Sequence, residues 1–178
     1  TQECYTRILR QELVSAMGCT EPIAIAYAAA KAREVLGRMP SRIIAACSGN
    51  IIKNVKSVTV PSTNGMQGIA ASAIIGAVGG DATRRLEVLT AVTEEDIAIA
   101  HKLAEEEICE VQLLEGVPNL DIIITATEGR DSALVEICHS HTNITRIERN
   151  GVTLFSADSA PAAEQPDMDA ALLNLTDI

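Results

Sequence analysis

The sequence predicts an α+β fold, with N-terminal helices followed by an antiparallel β-meander at 109–155. Three observations carry this. Apolar stretches of the first half either recur at helical spacing or are apolar on every face. From 109 onward apolar residues alternate with period two. Turn signals, Asn150-Gly151 above all, separate the alternating runs. The 178 residues suit one domain.

Each element has its own signal. Tyr5, Ile8, Leu9, Leu13, Ala16 and Met17 fall on one side of a first segment and Arg7, Arg10 and Gln11 on the other, an amphipathic helix ending at Gly18. A second helix starts at Thr20-Glu21-Pro22, where Thr can cap and Pro is tolerated in the first turn. It runs to Gly37, and its first three turns are apolar all round, which predicts burial. Ile43, Ile44, Val55, Val58 and Val60 suggest two short strands around Ser48-Gly49-Asn50. A turn-rich loop over 61–68 leads into GIAASAIIGAVGG, too rich in Gly and Ala for a strand and read as a closely packed buried helix ended by Gly79-Gly80. Another helix covers roughly 83–91. Thr93 caps the next, with Glu94, Glu95 and Asp96 complementing its dipole and Ile97, Ala100, Leu103, Ala104 and Ile108 as its core face.

Successive strands then carry Val111 and Leu113, Ile122 and Ile124, and Leu134 and Glu136, with turns at Glu128-Gly129-Arg130-Asp131 and Asn150-Gly151. Beyond Phe155 the composition is that of a linker, and MDAALLNLTDI begins a helix. Residues 1–155 therefore read as the N-terminal α+β domain of a longer protein. Residues 156–178 read as a linker and the start of a helix leading to a missing C-terminal half.

Composition narrows the function classes. Apolar residues make up 47% and charged residues 21%, and no apolar run is long enough to span a bilayer. The opening TQECYTRILRQEL has no signal-peptide core, so the expected location is the cytoplasm. A net charge of −10 and an aromatic set limited to Tyr5, Tyr27 and Phe155 argue against nucleic acid and anionic membranes as partners. Five cysteines (Cys4, Cys19, Cys47, Cys109 and Cys138) with no C-x-x-C pair fit neither a disulfide framework nor a compact zinc site. Most are expected to be small buried hydrophobes.

Four constellations could carry chemistry. Cys19, in Gly18-Cys19-Thr20-Glu21-Pro22, precedes a helix N-terminus whose free N–H groups and dipole favour a thiolate; a buried inert cysteine is the alternative. Lys53, near Asn50 and Asn54, becomes an acid or base if shielded from water, or is a solvated surface lysine. The 61–68 loop lacks a P-loop pattern, yet its amides can hold a carboxylate, or it is a plain turn. His139 and His141 stand at i and i+2 on one strand face, as metal ligands or as hydrogen-bonded strand histidines.

In order along the chain stand G-C-T-E-P with its Ala-rich helix, N-x-x-K-N ahead of V-x-V-P, I-A-A-S-A-I-I-G-A-V-G-G, L-E-V-L and H-T-N-I-x-x-I-E-x-N-G. Over roughly 5–155 this resembles the L-cysteine desulfidase family, iron–sulfur enzymes related to the α part of bacterial L-serine dehydratases. The resemblance implies a [4Fe–4S] cluster held by three cysteines. Cys19 is the first; the other two lie in the C-terminal half and are none of Cys4, Cys47, Cys109 or Cys138. An open fourth iron acts as a Lewis acid on L-cysteine while a base removes the Cα proton. Sulfide leaves, and the aminoacrylate hydrolyses to pyruvate and ammonia; L-serine would lose water by the same course. Lys53 is the candidate acid or base, and Asn50, Thr63, His141, Thr142 and Asn143 are candidates for binding or positioning the substrate. Where the family tends to show P-G-T-G, this chain has Pro61-Ser62-Thr63-Asn64-Gly65. The resemblance also implies that this stretch alone lacks the cluster and is inactive. Its partners are then a small amino acid and the missing half of the same protein, with a homo-oligomer left open. Two rivals stand beside it: a ligand-binding or scaffold module without chemistry, and a pyridoxal-phosphate lyase using Lys53, for which no phosphate cup is present.

Overall fold

Helix α1 (Thr20–Leu36) is the centre of the protein, and every residue from Pro22 to Ala30 is buried. Its limits follow from local chemistry. Pro22 occupies the first turn, which needs no N–H from it, and Gly37 takes φ 80 just past the end. Cys19 rather than Thr20 is the N-cap residue, and no side chain caps the helix. The computed structural model describes residues 18–157; the amphipathic helix expected over 5–17, Cys4, and all but the first two residues of the expected linker and helix start lie outside them.

After α1 come β1 (Arg42–Ser48), α2 (Gly49–Val55), α3 (Gly68–Gly79), a 3₁₀ segment (Ala82–Glu87) and α4 (Glu94–Glu105). Strands β2 (Cys109–Leu114), β3 (Asp121–Glu128), β4 (Asp131–Cys138), β5 (Ile144–Arg149) and β6 (Val152–Ser156) complete the fold. They form one sheet in the order β2-β1-β3-β4-β5-β6. Helix α1 lies across β3 and β4, α3 packs on α1 and towards β1 and β2, and α4 backs α3. The small residues of α3 serve that packing, since a Cβ at Gly76 would run into the backbone of Ala26. That is the buried, closely packed helix expected there.

The structure corrects four expectations. Residues 41–60 hold one strand, not two. The Ser48 hydroxyl accepts the Ile51 N–H and turns the chain into α2, which buries Ile51 and Val55 one helical turn apart. Thr59 makes only an isolated bridge with Gln67. Secondly, the segment expected over 83–91 is a 3₁₀ turn broken at Arg85 (φ 50, ψ −115), with Leu86, Val88 and Leu89 plugged into the core. Thirdly, the antiparallel meander covers β3 to β6 only. Strand β2 pairs in parallel with β1, Ile43 opposite Cys109, because the intervening helices carry the chain back to the end where β1 began. Finally, His139 and His141 do not share a strand face: β4 stops at Cys138 and His139 turns the chain at φ 70.

Several other expectations hold. Thr93 and Asp96 form a reciprocal capping box on α4, which buries Ile97 and Ala100. Asn150 (φ 51) and Gly151 (φ 77) make the β5–β6 turn with both central residues at positive φ. Ile122, Ile124, Ala126, Ala133, Val135 and Ile137 are buried beneath α1, while Ile123, Thr125, Leu134 and Glu136 on the opposite face are half-exposed. No described helix is long and apolar enough to cross a membrane.

Candidate functional site

Three segments distant in sequence meet at the start of α1. The Cys19 thiol is free and exposed, and its Sγ donates to Glu21 Oε2 at 3.2 Å. The Thr20 hydroxyl lies 3.4 Å from the same carboxylate oxygen and 3.2 Å from Nε2 of His141, in the β4–β5 turn. A hydroxyl has one proton; with it directed to Glu21, the imidazole N–H donates to Thr20. From the end of α2, the Asn54 side chain hydrogen-bonds Glu21 as well. Pro61 closes one side, its Cγ 3.1 Å from where a Cβ on Gly18 would stand.

The charges are arranged differently from the sequence-based expectation. Partial burial, and then the hydrogen bond to Glu21, push the Cys19 thiol above its ordinary range, outweighing the opposing Glu21 backbone N–H. The helix terminus therefore does not make Cys19 a resting thiolate. Burial would also raise Glu21, but hydrogen bonds from Cys19, its own amide and Asn54, together with the charge of His141, hold its carboxyl below the usual value. The unit is a thiol bonded to a carboxylate, with an imidazole one hydroxyl away.

Other candidates are placed as follows. Lys53 is exposed, so the shielding from water on which its expected acid–base role depended is absent. Asn50 is exposed in the first turn of α2. Thr63 is 1% exposed and its hydroxyl donates to the Val60 carbonyl at 2.7 Å, so it holds the 61–68 loop in shape. Thr142 is half-buried, and Asn143 donates to the Cys138 carbonyl, closing the β4–β5 turn. Of the sequence candidates, Cys19 and His141 are brought together.

Sequence reasoning missed Thr20, Glu21 and Asn54 as site residues. Reading Ser48 as a helix cap would have put Lys53 and Asn54 on a helix and made Asn54 visible. Cys47 and Cys138 are buried, as expected of most cysteines here, and burial pushes the thiols of Cys47 and Cys109 up to about 12. Among the described residues no three His, Cys, Asp or Glu side chains gather as a metal site.

No family model matches the chain. No solved structure matches it either. Among curated proteins it is 52% identical over 151 residues to a UPF0597 protein of Lachnoclostridium phytofermentans, covering 85% of this chain and 36% of the relative. It is 55% identical over 147 residues to a UPF0597 protein of Finegoldia magna (82% and 35%) and 45% identical over 177 residues to one of Treponema denticola (99% and 41%). These relatives overturn the expected kinship with L-cysteine desulfidases, because the sustained identity is to proteins of another name, whereas the expectation rested on short strings such as G-C-T-E-P and H-T-N-I. The chain spans 35–41% of these relatives' length, so it does not correspond to a half of them.

Proposed function

We propose that the start of α1, the end of α2 and the β4–β5 turn form part of the active site of a longer, cytoplasmic lyase. It would act on a small amino acid, releasing sulfide and ammonia from L-cysteine or water and ammonia from L-serine, with Cys19 as one ligand of a [4Fe–4S] cluster. The observation that carries this reading is the exposed thiol held on a carboxylate, with an imidazole that the chain brings to the neighbouring Thr20 from 121 positions away. Cys19 fits one ligand position: it is solvent-facing, unpaired and on a rigid helix start. The remaining ligands would come from the rest of the longer protein, since no second thiol joins Cys19 among the described residues. When bound, such a cluster would supply a Lewis acid.

This chain's own groups have separate tasks. Ligation requires Cys19 to lose its proton, and the Glu21 carboxylate is the acceptor it already contacts. Asn54 and Thr20 fix that carboxylate from two sides. His141 brings an imidazole, the side-chain type most often used as a general acid or base. Lys53 and Asn50 on α2 remain candidates for contact with the substrate.

The test is anaerobic cluster reconstitution of the longer protein, wild type against Cys19→Ala, with iron content and sulfide release from L-cysteine measured in parallel. The variant should lose both. Equal iron in the two removes the ligand assignment. Full iron with no turnover of L-cysteine or L-serine removes the lyase and leaves a ligand-binding module.

A further inference from the structure

Across the sheet from that site, the described residues place two unsatisfied groups on one face of the sheet, one of them lining a cleft and the other beside it. Three side chains bury a polar atom with no hydrogen-bond partner: Arg33 Nε, Asp121 Oδ1 and Arg146 Nε. Native proteins rarely leave such atoms without a reason. Arg146 lines a cleft of about 510 Å³ with Glu136, Cys138 and His139, on the sheet face that carries no helix among the described residues. Asp121 stands directly opposite Cys138 in the β3–β4 ladder, so its side chain is on that same face; it is 4% exposed. Its charge environment names the same neighbours, Glu136, His139 and Arg146.

We propose that this cleft binds a small zwitterion, its ammonium towards Asp121 and Glu136 and its carboxylate on Arg146. The orphan atoms set the polarity: Asp121 Oδ1 needs a donor and Arg146 Nε needs an acceptor. The pairs already present leave the guanidinium underused. Arg146 Nε lies 3.4 Å from Glu136 Oε2 without a hydrogen bond, and Nη1 is 3.4 Å from Glu148. Glu136 Oε2 instead accepts from the Thr145 hydroxyl at 3.0 Å. A carboxylate ligand offers the guanidinium the two-pronged partner it lacks. Net charge selects the class. A plain anion would face Asp121, Glu136 and Glu148, a plain cation would face Arg146, and a molecule with both ends matches both. His139, held at φ 70, puts its imidazole on the rim.

This site is separate from the one at Cys19, and its test keeps the two apart. Amide NMR titration of the whole chain with L-alanine, β-alanine, acetate and ethylamine should give saturable shifts around 121, 136–139 and 146 with at least one amino acid. Acetate and ethylamine should bind about tenfold more weakly or worse, each having one end only. Arg146→Lys and Glu136→Gln should each weaken the zwitterion by about tenfold, and Cys19→Ala should leave it unchanged. Circular dichroism identifies a variant that fails to fold, and the other then decides. Saturable shifts with neither amino acid, shifts centred on 19–21, acetate binding as tightly as the zwitterions, or indifference to both folded variants would each overturn the proposal.

Discussion

Thr20 Oγ1 and His141 Nε2 lie 3.2 Å apart, a contact that fastens the β4–β5 turn to the first residue of α1. The turn is closed by its own backbone hydrogen bonds and by Asn143, so this contact ties it to α1 rather than shaping it. Thr20→Val should cost about 1 kcal/mol. It should also raise amide exchange across 139–143 while leaving β3 protected. Unchanged exchange in that turn would discard the role.

Glu21 keeps the Cys19 proton in place, both by accepting it and by its charge. Removing the charge should lower the thiol pKa, because the backbone N–H of Glu21 favours the thiolate and remains. Glu21→Gln should therefore be alkylated by iodoacetamide roughly 3–10-fold faster at neutral pH. An unchanged rate would mean that desolvation alone sets the thiol.

Gly76 meets the backbone of Ala26, where α3 crosses α1 with nothing between them. Neither helix can yield easily, since α1 is buried on every side from Pro22 to Ala30. Gly76→Ala should cost about 2–4 kcal/mol in chemical denaturation, at or above the usual range for overpacking. A loss below ~1 kcal/mol would show that the two helices slide apart freely.

Asp121 tests the cleft through pH. Burial first, and then Glu136, raise its carboxyl above the ordinary 3.8, while His139 and Arg146 oppose them. A raised carboxyl favours the folded state below its unfolded value and loses that contribution as pH climbs through the folded one. Asp121→Asn should therefore be more stable than wild type at pH 7, with the gap narrowing as pH falls through the raised folded value and closed once pH is below about 3.8. A gap that does not change with pH would assign the effect to packing. Stability gained by deleting a carboxylate is what a binding group, rather than a structural one, should show.

Much of the fold is legible because single segments decide it. The all-round apolar run from Pro22, the Gly and Ala content of α3 and the Thr93–Asp96 box each specify their helix locally. Asn150-Gly151 specifies its turn in the same way. What fails is what depends on partners. Valines at 55, 58 and 60 suit a strand by propensity, yet a Ser48 cap and the burial of Ile51 with Val55 convert the stretch to α2. The direction of β2 is invisible in its own residues, because it depends on where the helices deliver the chain. The site follows the same division: Cys19 announces itself at a helix start, whereas Glu21 matters only through Asn54 and His141, which other elements bring to it.

The parallel pairing of β1 with β2 has a consequence during synthesis. β1 leaves the ribosome early, but both of its neighbours, β2 and β3, are encoded beyond residue 108. While 49–108 emerge, a seven-residue strand with five apolar residues has neither flank occupied. A nascent chain paused there should be more aggregation-prone than one paused after residue 128, once both partner strands have emerged.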